Sequence, residues 1–452
     1  MSPALPTDPV REAVERLRAE GELLGGLRRA WEEETGAACP LVAAELRRVH
    51  FKPFTRARLV VRGVLAPAEP GGPPRQQFFA LQVYPLVEAA RRRRRSYLAR
   101  SQPAPCHGPP AFVVPAWHAA GFSLPNGPLL RNLAKFLDAG RTRTWLEKKG
   151  QPELAARYHP DAIELVRYVP RKRALLRLPG GDGVGGAYFK LFTQAEYRTA
   201  ARNAVAILRA GEVAPLGFTA PAILARGKKK RALALAELPG TRLTESFAAG
   251  PPELLAAAGA AVAGLHRSMA WTRARWSPGR ELEAVAVAAN DLIQALPGQA
   301  EAVRRLVARL GATFALAEGF QPAPIHANLF GDQILAGAAG IGIVDWDDLC
   351  LGDPAFDVGR TAAHFLFAVS GRGPAERERL AAFLAGHAER AGESPPEPRL
   401  AWHIAAALLL RAKISALRPL APGWPEQVER SLAMAHAVLD RPAESWRAMF
   451  SA

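Results

Sequence analysis

The sequence predicts an α+β fold: a small antiparallel sheet lobe followed by a large helical lobe, with a further strand-bearing domain in front of both. Three observations carry this reading. Between about Leu46 and Leu238, short apolar runs and alternating stretches are punctuated by Gly and Pro, as in strands joined by turns. Beyond Pro239-Gly240 the pattern turns helical and is interrupted only from Pro324 to Asp353. The strand-rich pattern also occurs twice.

Taken in order, residues 9–35 read as an amphipathic helix, with Val10, Val14, Leu17, Leu23, Leu24 and Leu27 near helical spacing. Strands follow around Val49, at Leu59-Val60-Val61 and from Phe78 to Tyr84, the last two separated by Gly71-Gly72-Pro73-Pro74. The stretch Phe51 to Leu59 then lines up with Tyr168 to Leu176 in the pattern aromatic-x-Pro-x-x-Arg-Ala-x-Leu. A third strand closes each copy, Ala80 to Tyr84 in the first and Tyr188 to Phe192 in the second, so that Gln82 stands where Lys190 stands. The alternative is a chance likeness of two basic hairpins. A Pro- and aromatic-rich segment, 103–138, connects the copies and ends in a short helix from Leu129 to Leu137. The expected domains are 1–155, 156–240 and 241–452.

Composition bounds the function. At 452 residues, with 49% hydrophobic and 22% charged residues, the chain suits two or three globular domains. Met1 to Pro9 lacks an apolar h-region. No uninterrupted apolar run approaches a membrane span, since Ile404 to Leu410 runs into Arg411 and Lys413. Cys39, Cys106 and Cys350 are too scattered for a disulfide framework or a zinc site. A cytoplasmic protein without a membrane partner is expected. The net charge of +17 suits anionic partners, but the run Arg91 to Arg95 also fits a solvated helix face. No nucleic-acid-binding motif accompanies it, so nucleic acid is not an expected partner.

Chemistry concentrates in Ile325-His326-Ala327-Asn328-Leu329-Phe330-Gly331-Asp332-Gln333, followed by Val344-Asp345-Trp346-Asp347 and Gly352-Asp353-Pro354-Ala355-Phe356-Asp357. A polar loop is followed by a strand that delivers acidic residues at its end. Phosphoryl transfer needs a group that orients the attacking hydroxyl and oxygen donors for Mg²⁺, and Asp345 with the amide of Gln333 are such donors.

These segments resemble the catalytic and metal-binding loops of the aminoglycoside phosphotransferase and choline kinase superfamily, particularly its maltokinase-like branch, over roughly residues 160 to 440. The pattern there is H-G-D-x-x-x-x-N/Q, then I-D-W/F-D, then G-D-P-x-x-D. The resemblance implies a bilobal protein-kinase-like fold, ATP and Mg²⁺ as cofactors, and an N-terminal domain that is a degenerate relative of the kinase N-lobe. It implies that His326 belongs to the catalytic loop, that Gln333 and Asp345 bind metal, and that Asp353 and Asp357 brace the loop. Lys190 corresponds to the nucleotide-binding lysine, Arg171 to the loop over the phosphates, and Glu237-Leu238 to the hinge that holds adenine. His266 falls on a helix of the family and is expected to be a buried structural histidine.

Two positions depart from the pattern. Ala327 replaces a glycine, which by sequence is a minor change, and Asn328 occupies the catalytic-base position. An amide can orient a hydroxyl but cannot accept its proton. The helix after Lys190 offers it only Glu196, close to the helix start. Gly181 to Gly186 matches G-x-G-x-x-G but precedes a strand and reads as a strand connection. The expected function is phosphoryl transfer to a hydroxyl of a small polar molecule of sugar or amino-sugar type, with impaired turnover. The alternative is a pseudokinase: a nucleotide-binding or structural module, for which a protein partner would be expected.

Overall fold

A computed structural model describes residues 8–440 except 20, 70, 73, 105, 128, 129, 131, 160, 161, 170, 171, 182, 183, 248, 369–373 and 418–422. Arg171 therefore lies outside the described residues. The chain divides into two compact units. The first takes the chain up to Tyr197 and Leu224–Ala236, and the second takes Arg198–Ile223 and nearly all of the chain from Glu237 on.

The first unit opens with two helices, α1 (Pro9–Arg18) and α2 (Glu22–Thr35), where the sequence suggested one. Gly21, at φ 77°, occupies the left-handed region between them, a conformation that interrupts a helix. Asp8 caps α1 through Val10 N–H at 2.9 Å and also accepts from Phe54 N–H at 2.7 Å.

Next come β1 (Leu41–Lys52), β2 (Arg56–Leu65), β3 (Arg75–Val83), α3 (Val87–Leu98), β4 (Ala111–Val114) and β5 (Ala119–Ser123). The connecting helices α4 (Leu133–Leu137), α5 (Ala139–Glu147) and α6 (Pro152–Arg157) follow. Then the pattern repeats with β6 (Glu164–Val169), β7 (Arg173–Leu178), β8 (Ala187–Phe192), α7 (Gln194–Val213), β9 (Ile223–Gly227) and β10 (Ala232–Ala236).

Both sheets are five-stranded, with the orders β1-β2-β3-β5-β4 and β6-β7-β8-β10-β9; the first is antiparallel throughout, and in the second β6-β7, β7-β8 and β8-β10 pair antiparallel. The repeat is thus longer than the three strands legible in the sequence. Its register agrees with the sequence alignment: Gln82 lies opposite Arg58, and Lys190 lies opposite Leu175. One apolar cluster draws Val60 and Ala80 from the first sheet, Phe136, Leu146 and Tyr158 from the connecting helices, and Phe189 and Leu191 from the second. The expected boundary at 155/156 falls inside this unit, where that cluster takes residues from both sides of it.

The second unit is helical around two small β ribbons. Its helices after α7 are α8 (Leu243–Phe247), α9 (Pro252–His266), α10 (Pro278–Ala295), α11 (Ala300–Ala312), α12 (Pro354–Ala368), α13 (Pro374–Ala391), α14 (Glu397–Leu417) and α15 (Trp424–Asp440). The strands are β11 (Thr241–Arg242), β12 (Ala323–Ile325), β13 (Ile334–Gly337), β14 (Gly340–Ile343) and β15 (Cys350–Gly352). α9 and α13 pack so closely that a Cβ on Gly259 would come within 1.9 Å of the Phe383 carbonyl oxygen. By length and composition, α14 could cross a membrane, although its longest apolar run is short. It carries Arg411 and Lys413, and most of it is buried within the protein, as a core helix is.

Candidate functional site

The hairpin β13–β14 pairs Ile334 with Ile343, so Gln333 and Val344 face each other at its open end. The Val344 peptide joins the segments that the sequence marked. Its N–H donates to the Gln333 carbonyl at 2.9 Å, and its own carbonyl accepts from the Nε2–H of His326 at 2.9 Å. A carbonyl only accepts, so His326 carries its proton on Nε2. The ring is fully buried and lies 4.9 Å from Trp346, which stacks on Phe218. Asp345 follows immediately, in the left-handed region at φ 73°. Behind it, Asn203 of α7 donates to the carbonyls of Asp347 and Leu349 at 3.0 and 3.1 Å.

The start of the loop is held by Asp357. Its carboxylate accepts from the backbone N–H of His326 at 2.6 Å and of Ala327 at 2.9 Å. The ring of His266 stands 3.4 Å from the same carboxylate, and its other nitrogen is 3.1 Å from His387. Burial pushes the Asp357 carboxyl up. The hydrogen bond from His266, the nearby rings of His266 and His326 and the His326 N–H outweigh it and hold the group below the usual range. His266 is thus the buried structural histidine expected from the sequence, 8% exposed.

His387 sits at the end of this chain, and burial, reinforced by His266, lowers it to about 3. Unfolded, it titrates near 6.5, so below that pH the unfolded chain binds a proton that the folded one refuses. Stability is expected to fall as pH drops from 6.5 toward 3, by about 1.4 kcal/mol per pH unit from this residue. In His387→Gln the acid limb of a denaturation-versus-pH curve should be correspondingly shallower; an unchanged limb would refute the assignment.

Asp353, at the other end of the motif, accepts from Ala355 N–H at 2.9 Å and from His403 Nε2 at 3.1 Å. The second nitrogen of His403 is 3.1 Å from Glu281. Two carboxylates on one ring require both nitrogens to be protonated. Burial pulls His403 down, but its bonds to Asp353 and Glu281 prevail and raise it.

Ala327 has φ 62°, a conformation that a side chain strains by about 1–2 kcal/mol. Its place in the loop thus has a backbone consequence that its small side chain conceals. Ala327→Gly is expected to stabilise the second unit by about 1 kcal/mol, read as a higher melting temperature. Asn328 is half-buried, and its side chain makes no hydrogen bond among the described residues.

Gln333 and Asp345 offer one amide oxygen and one carboxylate. That donor set suits Mg²⁺, which binds few protein oxygens and keeps water or phosphate in its remaining positions. The Gln333 Oε1 accepts from Phe330 N–H at 2.9 Å, which leaves a second lone pair. Among the described residues no group of three or more His, Cys, Asp or Glu is placed to hold a metal ion.

Other positions marked in the sequence lie as follows. Lys190 stands mid-strand in β8, half-buried, between Leu175 and Leu233 in register. Glu196 is engaged at its own helix start: its carboxylate accepts from Thr193 Oγ1 at 2.8 Å, and Thr193 Oγ1 caps Glu196 N–H at 3.5 Å. This capping box explains why the acidic residue sits so early in α7. Glu237-Leu238 opens the second unit's return, and the Leu238 side chain packs on Gly342. Gly181 and Val184 form an isolated bridge between β7 and β8, a strand connection as expected. Sequence reading missed Glu281, His387, His403 and also His364, whose Nδ1 accepts from Gly331 N–H at 3.2 Å.

With this geometry established, comparisons place the chain among known proteins. The model of a family described as the phosphotransferase enzyme family matches residues 175–400, half of the chain. No curated protein matches. Among solved structures, a choline/ethanolamine kinase family protein from Mesorhizobium loti is 17% identical, with a TM-score of 0.45 over 68% of this chain and 99% of that one. A choline kinase from Cryptosporidium parvum is 9% identical, with a TM-score of 0.47 over 70% and 99%. A choline kinase from Streptococcus pneumoniae is 14% identical, with a TM-score of 0.41 over 62% and 93%.

Proposed function

Because the chain belongs to the phosphotransferase enzyme family, we propose that it is an ATP- and Mg²⁺-dependent kinase-fold protein that acts slowly on a hydroxyl of a small polar acceptor. Membership brings the kinase-like fold expected from the sequence, and antiparallel sheets followed by a helical region are what the chain has. The observation that carries the reading is the Val344 backbone, immediately before Asp345, which holds both His326 of the Asn328 loop and Gln333. In the first unit, Lys190 is assigned to the α- and β-phosphates and Arg171 to the covering loop. In the second, Glu237-Leu238 is assigned to the adenine through its backbone.

Gln333 and Asp345 would hold Mg²⁺, which when bound neutralises charge on the phosphates. The protein's own part is positioning. Asp357 fixes the two peptides before Asn328, so the Asn328 amide is presented at the end of an anchored turn. That amide can accept a hydrogen bond from an acceptor hydroxyl and align it, without taking its proton. Sugars and amino-sugars, dense in hydroxyls, are the acceptor class we assign, in keeping with the maltokinase-like motifs.

Asn328 also favours a second reading, a nucleotide-binding module without turnover. Both readings require nucleotide. ATP with Mg²⁺ is expected to raise the melting temperature, since a ligand of the folded state stabilises it by mass action. Asp345→Ala should abolish the metal-dependent part of that rise. Absence of any shift at millimolar ATP would sink both of these and leave only a structural module.

A further inference from the structure

We propose that His364 is a positioning residue for the metal-binding amide of Gln333, acting through the Phe330-Gly331 peptide, a role that rests on the assignment of Gln333 to Mg²⁺. The helix α12 holds the loop of Asn328 at two points. Near its start, Asp357 accepts from the N–H groups of His326 and Ala327. Further along, His364 Nδ1 accepts from the Gly331 N–H at 3.2 Å. The step from 357 to 364 is about two helical turns, which puts both acceptors on one face, about 10 Å apart along the axis. The chain from Ala327 to Gly331 can span at most about 14 Å when extended. Little slack remains between the two anchors, and Asn328 stands in that span.

From Gly331 the restraint reaches the metal donor within one turn, Gly331–Gln333. The peptide between Phe330 and Gly331 is held on both sides. Its N–H donates to His364, and its carbonyl accepts from the Gln333 N–H at 2.9 Å. The Gln333 Oε1 turns back to accept from the Phe330 N–H at 2.9 Å, with one lone pair left for a metal. The His364 ring is itself fixed: it is 4% exposed and lies 5.4 Å from the Phe330 ring. The peptide has no room to drift toward α8, because a Cβ on Gly331 would come within 2.5 Å of Thr244 Oγ1 and 2.9 Å of Phe365.

Without His364 the Gly331 N–H would be buried and unpaired, which is costly, so the peptide would shift toward another acceptor. Gln333 is bonded to that same peptide, and its donor oxygen would move with it. Mg²⁺ demands near-ideal octahedral geometry and tolerates such a displacement poorly. The acidic motif that ends at Asp357 does not include His364, so the second anchor is a feature of the folded helix rather than of the motif.

The test is calorimetry of ATP on the full chain, with Mg²⁺ and then with EDTA in its place, joined to hydrogen exchange of the Gly331 amide in the ligand-free protein. His364→Phe keeps a ring but removes the acceptor. It should weaken ATP binding about 10-fold with Mg²⁺, leave binding in EDTA unchanged, and speed exchange at Gly331. His364→Asn, whose Oδ1 takes the place of Nδ1, should restore both the affinity and the protection. Gly331→Ala, which forces the peptide away from His364, should reproduce the loss and serves if His364→Phe fails to fold. Wild-type affinity with Mg²⁺ in the variants that lack the bond would overturn the proposal. So would an equal loss with and without Mg²⁺, or His364→Asn behaving as His364→Phe does, since a merely structural role predicts those results. If the wild type binds ATP no more tightly with Mg²⁺ than in EDTA, the metal assignment falls and this role with it; metal-dependent binding that ignores His364 overturns this role alone.

Discussion

Asn328→Asp is expected to raise ADP release in the presence of Mg²⁺ and an acceptor by about 10²- to 10⁴-fold, the usual contribution of a general base. The substitution is nearly isosteric, and the Asn328 side chain makes no hydrogen bond among the described residues that the change would break. The surroundings are already anchored: Asp357 holds the peptides of His326 and Ala327, and Leu329 is fully buried. The new carboxylate would therefore appear in a preset position, where it can accept the hydroxyl proton that the amide cannot. Because the transition state of phosphoryl transfer is loose, positioning already supplies part of the rate, so the wild type should retain slow turnover. The measurement is ADP release by both proteins over a panel of sugars and amino-sugars. A silent variant that still binds ATP would favour the module without turnover. Brisk wild-type turnover would show that the missing carboxylate costs less than proposed.

His403→Gln is expected to destabilise the second unit by about 3–5 kcal/mol, the loss seen when one member of a buried ionic group is removed. The imidazolium lies between Glu281 and Asp353, and all three are at most 3% exposed. Arg399, 3.9 Å from Asp353, is too distant to replace two short bonds. Glu281 already has its Oε1 buried without a hydrogen-bond partner among the described residues, so losing His403 leaves a carboxylate still more exposed to burial's penalty. Glu281→Gln introduced together with His403→Gln should recover much of the loss by removing that charge. The pH dependence has a definite sign. The folded pKa of His403 is raised, so its contribution is complete below about 6.5 and disappears as pH climbs through the raised value. Denaturation curves from neutral to alkaline pH should show this decline in the wild type and not in the double variant. Equal stability of His403→Gln and wild type at neutral pH would remove the basis for the clamp.

The acid-side and alkaline-side histidines differ only in what they touch. His387 meets another ring and is held neutral, whereas His403 meets two carboxylates and is held charged. Nothing in the residue type separates them.

That contrast marks the division between what sequence and tertiary structure each decided. The sequence alone determined the type and order of most elements, because periodicity, glycines and prolines act over a few neighbouring residues. It also determined the repeat, since Arg-Ala-x-Leu after a turn places Gln82 and Lys190 at equivalent register in both sheets. The loop from His326 to Gln333 and the acidic segment to Asp357 were legible because their chemistry is contiguous. Tertiary structure decided the rest. The fourth and fifth strands of the first sheet pair beyond an intervening helix, in a segment rich in Pro and aromatic residues, so short-range pattern did not reveal them. The left-handed turns at Ala327 and Asp345 follow from anchoring by Asp357 and the Val344 peptide, not from those residues' own preferences. His403 meets Asp353 across 50 residues and Glu281 across 122, and His387 meets His266 across 121. Such bonds form because packing removes water from groups that must then find one another, and nothing in local spacing records which buried partner that will be.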